Sequence, residues 1–106
     1  MSKSSYRLKI TPKAGDDLDQ IYSYIFKVLH FKEAAGKLLA RIETSILRLK
    51  DFPFSGSFAA DKFLKKKGYR KLIIDNYIAF YLVDEKEKQV VVMRVLYGRQ
   101  KYQNLL

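Results

Sequence analysis

The chain reads as an α+β domain of order β-α-α-β-β-β, with a helical hairpin packed on one face of a small, mostly antiparallel sheet. Three observations predict this. Apolar residues recur every two positions in the first ten residues and again after residue 68. Between these stretches, from 14 to 49, they recur every three or four positions. At 106 residues there is room for one hydrophobic core, so residues 1–106 are expected to form a single domain.

Tyr6-Arg7-Leu8-Lys9-Ile10 alternates apolar and basic, as a half-buried strand does, with Tyr6, Leu8 and Ile10 inward. Thr11-Pro12 starts a helix: Thr accepts from an early backbone N–H, and Pro fits the first helical position. Asp16, Asp17 and Asp19 follow, placed to favour the positive end of the helix dipole. Ala14, Leu18, Ile21, Ile25 and Leu29 make one apolar stripe, which Tyr22 and Phe26 widen. A bend around His30 leads to a second helix with Ala35, Leu38, Ile42, Ile46 and Leu49 on its stripe. Phe52-Pro53 stops it.

Residues 54–68 read as a loop, with Phe58, Phe63 and Leu64 anchoring it to the core. Three strands follow, Tyr69–Ile74, Tyr77–Val83 and Gln89–Tyr97. Asp75-Asn76 makes the first turn, since both residues tolerate positive φ. The Tyr77–Val83 segment carries no charge, so it belongs at the centre of the sheet. The helices cover one face and the other is expected to be open.

Composition narrows the function classes. With no Cys there is no disulfide, thiolate nucleophile or Cys-based zinc site, and a single His, His30, makes no metal cluster. His30 reads as a bend residue rather than a general base, and no metal or cofactor is expected. The N-terminus lacks the apolar run of a signal peptide, and no apolar run approaches a membrane span, so a cytoplasmic location without membrane contact is expected. The net charge is +10 and the pI near 9.8, which fits either a polyanionic partner or a solubilising lysine surface. Lys62, Lys65, Lys66, Lys67, Arg70 and Lys71 concentrate that charge on the loop and the strand it enters.

There is no Gly-rich phosphate loop and no Ser-His-Asp set. The acidic pairs Asp16/Asp17 and Asp84/Glu85 sit at a helix start and a hairpin tip, in capping or solvated roles. Cations and tyrosines of the last strands remain: Arg70, Lys71, Arg94, Tyr97, Arg99, Lys101 and Tyr102. Arg70 and Arg94 interrupt apolar strands, where an arginine needs an internal carboxylate, a snorkelling edge position, or an external anion held by its guanidinium fork.

Leu49, Phe52, Pro53 and Gly56, followed by Tyr69-Arg70-Lys71-Leu72, then YIAFYLVD from Tyr77 and VVVMRVLYGRQ from Val90, resemble the RelE/ParE superfamily over nearly the whole chain. These are toxins of bacterial type II toxin–antitoxin modules, also known as plasmid-stabilisation proteins. The resemblance implies a small acidic antitoxin as partner, a toxin–antitoxin hetero-oligomer, and one of two targets. RelE-like members cut mRNA on the ribosome; ParE-like members poison DNA gyrase.

The RelE lysine pair falls on Arg70 and Leu72, its third-strand arginine on Ile78, its late arginine on Arg99 and its late tyrosine on Tyr102. Two cations of the nuclease pattern are thus missing, at Leu72 and at Ile78, and losing a preorganised cation of this kind costs about 3 kcal/mol of transition-state stabilisation. The Arg94–Arg99 run matches the ParE-like R-V-L-H-G-R pattern, with Tyr97 at the histidine position. The resemblance is therefore closer to ParE. It implies antitoxin or target contacts by Arg70, Lys71, Arg94, Tyr97, Arg99 and Lys101. The alternatives are a ribosome-dependent endoribonuclease, for which Arg70, Arg94 and Arg99 would be catalytic, and a non-toxic basic domain that binds nucleic acid through Lys62–Lys71 and Tyr69.

Overall fold

The computed structural model describes residues 5–29 and 32–98. Strand β1 (Arg7–Ile10) leads into helix α1 (Pro12–Leu29) and helix α2 (Lys32–Leu47), which ends in a 3₁₀ turn over Arg48–Lys50. A two-residue strand β2 (Ser57–Phe58) and a short helix α3 (Lys62–Lys66) precede β3 (Arg70–Ile74), β4 (Tyr77–Asp84) and β5 (Gln89–Tyr97). The five strands are ordered β1-β5-β4-β3-β2, with β4, uncharged from Tyr77 to Val83, in the middle as its composition requires. Only β1 and β5 pair in parallel; the other neighbours are antiparallel. The α+β fold expected from the pattern is the one formed.

Local chemistry explains the boundaries. The Thr11 hydroxyl accepts from Ala14 N–H at 3.1 Å and donates to the Met93 carbonyl at 3.0 Å, so it caps α1 and ties the cap to β5. Asp75 adopts φ +54° in the β3–β4 turn. The α1 and α2 stripes meet the sheet through Ala14, Ile21, Ile25, Ala35, Ile42 and Ile46, which pack on Ala79, Tyr81, Val90, Val92 and Val95. Burying these side chains supplies the main drive to fold, at about 25 cal/mol per Å² of apolar surface.

Several expectations need correction. The 54–68 segment is not a plain loop. Asp61 caps α3 by accepting from Leu64 N–H at 3.1 Å, and Gly68 at φ +90° ends the turn that comes after it. Through Ala59, Leu64 and Tyr69 this segment covers Phe80 and Leu96 on the far side of the sheet. The far face is therefore partly closed, and stays open around Ile73, which is 65% exposed. Leu64 anchors the segment, but Phe58 and Phe63 do not; both lie in solvent. Tyr22, Phe26 and Ile10 are likewise more exposed than their stripes imply. Tyr69 is buried, so it offers no ring for stacking. His30 lies outside the described residues.

The β4–β5 ladder is irregular at one point. Its register shifts between Phe80 and Tyr81, so that Phe80 faces Arg94 and Tyr81 faces Val92, with Met93 as the extra residue. A bulge reverses the side-chain parity of a strand. Hence Val90, Val92 and then Val95 join the helix-facing core, while Arg94 stands opposite Phe80 and its guanidinium reaches Asp17 on α1.

Candidate functional site

Strand β1 pairs with β5 only as far as Ile10 opposite Val92. Beyond that point the edge of β5 needs other partners, because an unpaired amide inside a fold costs free energy. Asp17 on α1 supplies one: its carboxylate accepts from Val95 N–H at 3.0 Å. The same carboxylate accepts from Arg94 Nε at 2.7 Å and from the guanidinium NH2 at 2.9 Å, a two-point pairing. Both side chains are largely buried, at 15% and 9% exposure for Arg94 and Asp17. The hydrogen bond to Asp17 raises the Arg94 pKa above its ordinary value, against the opposing pull of burial. Asp17 thus corrects the expectation of a capping or solvated acid. It lies outside the first turn of α1 and on its inner side.

Next to this pair, α1 and the end of β5 enclose an open groove of about 540 Å³. Gln20, Ile21 and Tyr24 line it from α1, Tyr77 from β4, and Arg94 to Tyr97 from β5. Tyr77 and Tyr97 face each other across paired strands with ring centroids 5.8 Å apart, edge to face. Burial, and then the neighbouring Tyr24 and Tyr97 hydroxyls, push the Tyr77 phenol above its ordinary pKa. It is a neutral donor or acceptor at physiological pH. The groove therefore combines aromatic rings, phenol hydroxyls and one cation already bound to a carboxylate. It suits a side chain or peptide segment better than a reacting phosphate.

Tyr97 also borders a second hollow of about 220 Å³ with Ile73, Asp75, Asn76, Ile78 and Gly98. Ile78, which the resemblance aligns with the nuclease arginine, lines this hollow. Among the described residues this hollow holds an aliphatic wall and a carboxylate, and no cation.

The expected site residues do not form one cluster. Arg94 and Tyr97 share the groove. Arg70 lies at the start of β3, where it donates to the Gly56 carbonyl at 2.6 Å and sits between the rings of Phe54 and Phe58. Its neighbour Lys71 is half-buried and pairs with Phe80 and Ser57 across the sheet. Arg99, Lys101 and Tyr102 lie outside the described residues. Sequence reasoning missed Asp17, Gln20, Tyr24 and Tyr77 as groove residues. The signal for Asp17 was its place three residues after Ala14 and four before Ile21, which sets an acid on the apolar stripe.

The motif Leu49, Phe52, Pro53, Gly56 is structural in three of its four members. Leu49, Pro53 and Gly56 are buried, whereas Phe52 is exposed. Tyr81, from the helix-facing side of β4, donates its hydroxyl to the Pro53 carbonyl at 2.9 Å and accepts from Gly56 N–H at 3.0 Å. Among the described residues no three His, Asp or Glu side chains converge to hold a metal, and no helix is long and apolar enough to cross a membrane.

The profile of the ParE toxin of type II toxin–antitoxin systems, parDE, matches residues 8–102. The chain belongs to the ParE toxin family. A comparison with curated protein sequences gives no match. Two solved structures share the ParE-like fold. A chain of the chromosomal ParDE system from P. aeruginosa superposes with a TM-score of 0.69 at 24% identity, over 88% of this chain and 96% of that one. A chain of the RelBE2 toxin–antitoxin complex from Mycobacterium tuberculosis gives 0.65 at 19% identity, over 88% and 98%. This ParE-family chain is thus the toxin component of a type II toxin–antitoxin system.

Proposed function

We propose that this toxin arrests growth by binding DNA gyrase, not by cutting mRNA. The observation that carries the reading is Ile78. A nuclease of this superfamily places an arginine there to stabilise the phosphate in the transition state. Here the position opens on a hollow lined by Ile73, Asp75 and Asn76. The groove cation, Arg94, is held by Asp17, which suits a fixed contact surface. Purified toxin is expected to inhibit supercoiling by gyrase and to leave mRNA on translating ribosomes intact. Cleaved mRNA with unaffected supercoiling would reverse the assignment.

The second part of the reading is the partner. A small acidic antitoxin covers the basic surface, with Arg94 and Tyr97 contacting it in the groove, Arg70 and Lys71 outside the groove, and Arg99 and Lys101 contributing as well. Opposite charge speeds encounter and makes binding depend on salt, because exposed charges are screened beyond about 10 Å at 0.1 M. The affinity of the complex is expected to fall steeply as salt rises. A salt-independent affinity, measured by calorimetry, would point to an apolar interface on the helices instead.

A further inference from the structure

Phe54 and Phe58 are 48% and 46% exposed, and Phe63 on α3 is 63% exposed. Rings of this size gain most from burial, so several together in solvent mark a contact surface. Cations meet these rings. The Arg70 guanidinium lies 4.2 Å from the Phe58 centroid and 5.0 Å from that of Phe54. Tyr6 stands edge-on to Phe54 with centroids 6.4 Å apart, and Lys88 Nζ lies 5.1 Å over the Tyr6 ring. Two cations and three rings thus form one row, Lys88, Tyr6, Phe54, Arg70, Phe58, with a cation against each ring. Lys67 Nζ repeats the arrangement 4.3 Å over Phe63. Neither Arg70 nor Lys88 nor any lysine of the α3 region forms an ion pair among the described residues.

We infer that this row is a binding surface for single-stranded DNA. Bases stack on aromatic rings whatever the sequence, and a line of cations follows the phosphodiester backbone. Duplex DNA hides its base faces and uses the cations alone. An acidic peptide likewise leaves the rings unused. A membrane calls for a continuous apolar face, whereas these rings are interleaved with charge. The preference for DNA over RNA rests on the gyrase reading; the surface itself does not. Neither Arg94 nor the tyrosine groove takes part.

Fluorescence anisotropy of the full chain with labelled oligo-dT tests this. Oligo-dT is expected to bind about tenfold tighter than duplex DNA of equal length at the same salt, and Phe54→Leu and Phe58→Leu each to weaken it about tenfold. Phe26→Leu on α1 is the control and leaves it unchanged. Heparin, a polyanion without bases, competes equally against the wild type and both ring variants, and circular dichroism checks that the variants fold. The inference is overturned if duplex or heparin binds as tightly as oligo-dT, or if both folded ring variants bind normally. Displacement of oligo-dT by phosphatidylglycerol vesicles also overturns it, and tighter binding of oligo-rU overturns the choice of DNA. Gyrase inhibition is read separately. Ring-dependent oligo-dT binding without inhibition sinks only the gyrase reading, and inhibition without such binding sinks only this one.

Discussion

Replacing Asp17 by alanine is expected to cost the fold about 3–5 kcal/mol, the usual penalty for removing one partner of a buried ion pair. The carboxylate accepts three hydrogen bonds, two from Arg94 and one from Val95 N–H. Without it, a guanidinium only 15% exposed loses its counter-charge, and β5 loses the bond that replaces β1 at that edge. At roughly 4–8 °C per kcal/mol for a domain of this size, the melting temperature should fall by about 12 °C or more. Asp17→Asn tests charge against shape, because an amide can accept from Val95 but presents a donor to the guanidinium. Converting the whole pair to Asp17→Ala with Arg94→Met should recover part of the loss, since the largely buried charge that loses the Asp17 carboxylate goes with the arginine. Thermal unfolding of the four proteins measures this. A single variant melting within a few degrees of wild type would show that the pair contributes little, and would release Arg94 for anion binding.

This pair also shows how far the sequence could be read. Arg94 interrupts an apolar strand and Asp17 interrupts an apolar helical stripe, so each needed a partner. The two anomalies answered each other across 77 positions, but only the arginine was visible as one. Asp17 was concealed by Asp16 and Asp19, which made it look like part of a solvated acidic start. The strands and helices were legible because their hydrophobic periods are long and regular. The Met93 bulge was not, since Val90 to Val92 reads as one uninterrupted run and a parity change depends on pairing with β4. The α3 region was lost to a single error of type. Ser55-Gly56-Ser57 suggested a loop, but Asp61 with the buried Leu64 three residues later is a cap leading into a turn of helix. Phe58 and Phe63 misled for the opposite reason: bulk argues for burial unless a cation and a ligand supply another use for the ring.

Gly56 and Tyr81 carry the second large expected effect. A methyl group at Gly56 would lie 2.5 Å from the Lys71 carbonyl oxygen and 2.7 Å from the Tyr81 hydroxyl. The first contact is with backbone held in β3, so it cannot be relieved by a rotamer change. Gly56→Ala must move the 53–57 segment or the strand, at about 3 kcal/mol, the upper part of the range for overpacking. Tyr81→Phe creates no clash but leaves Gly56 N–H and the Pro53 carbonyl buried without a partner, at about 1–3 kcal/mol per unsatisfied group. The double variant should be less destabilised than the sum of the two, because deleting the hydroxyl removes one of the two clashes. Urea unfolding at neutral pH gives all three values, and strict additivity would show that the two residues act independently. Alkaline pH separates the roles further. Burial is the largest cause that raises the Tyr81 phenol above its ordinary value, while the Gly56 hydrogen bond and Arg70 oppose it. The unfolded chain therefore releases this proton first, near pH 10, and wild-type stability declines as pH rises beyond that point. Tyr81→Phe has no proton to release there and should show a shallower alkaline decline from its lower starting stability. The same loop carries the Gly56 carbonyl that fixes Arg70 at 2.6 Å, so displacing it in Gly56→Ala should also unseat the Phe54–Arg70–Phe58 stack.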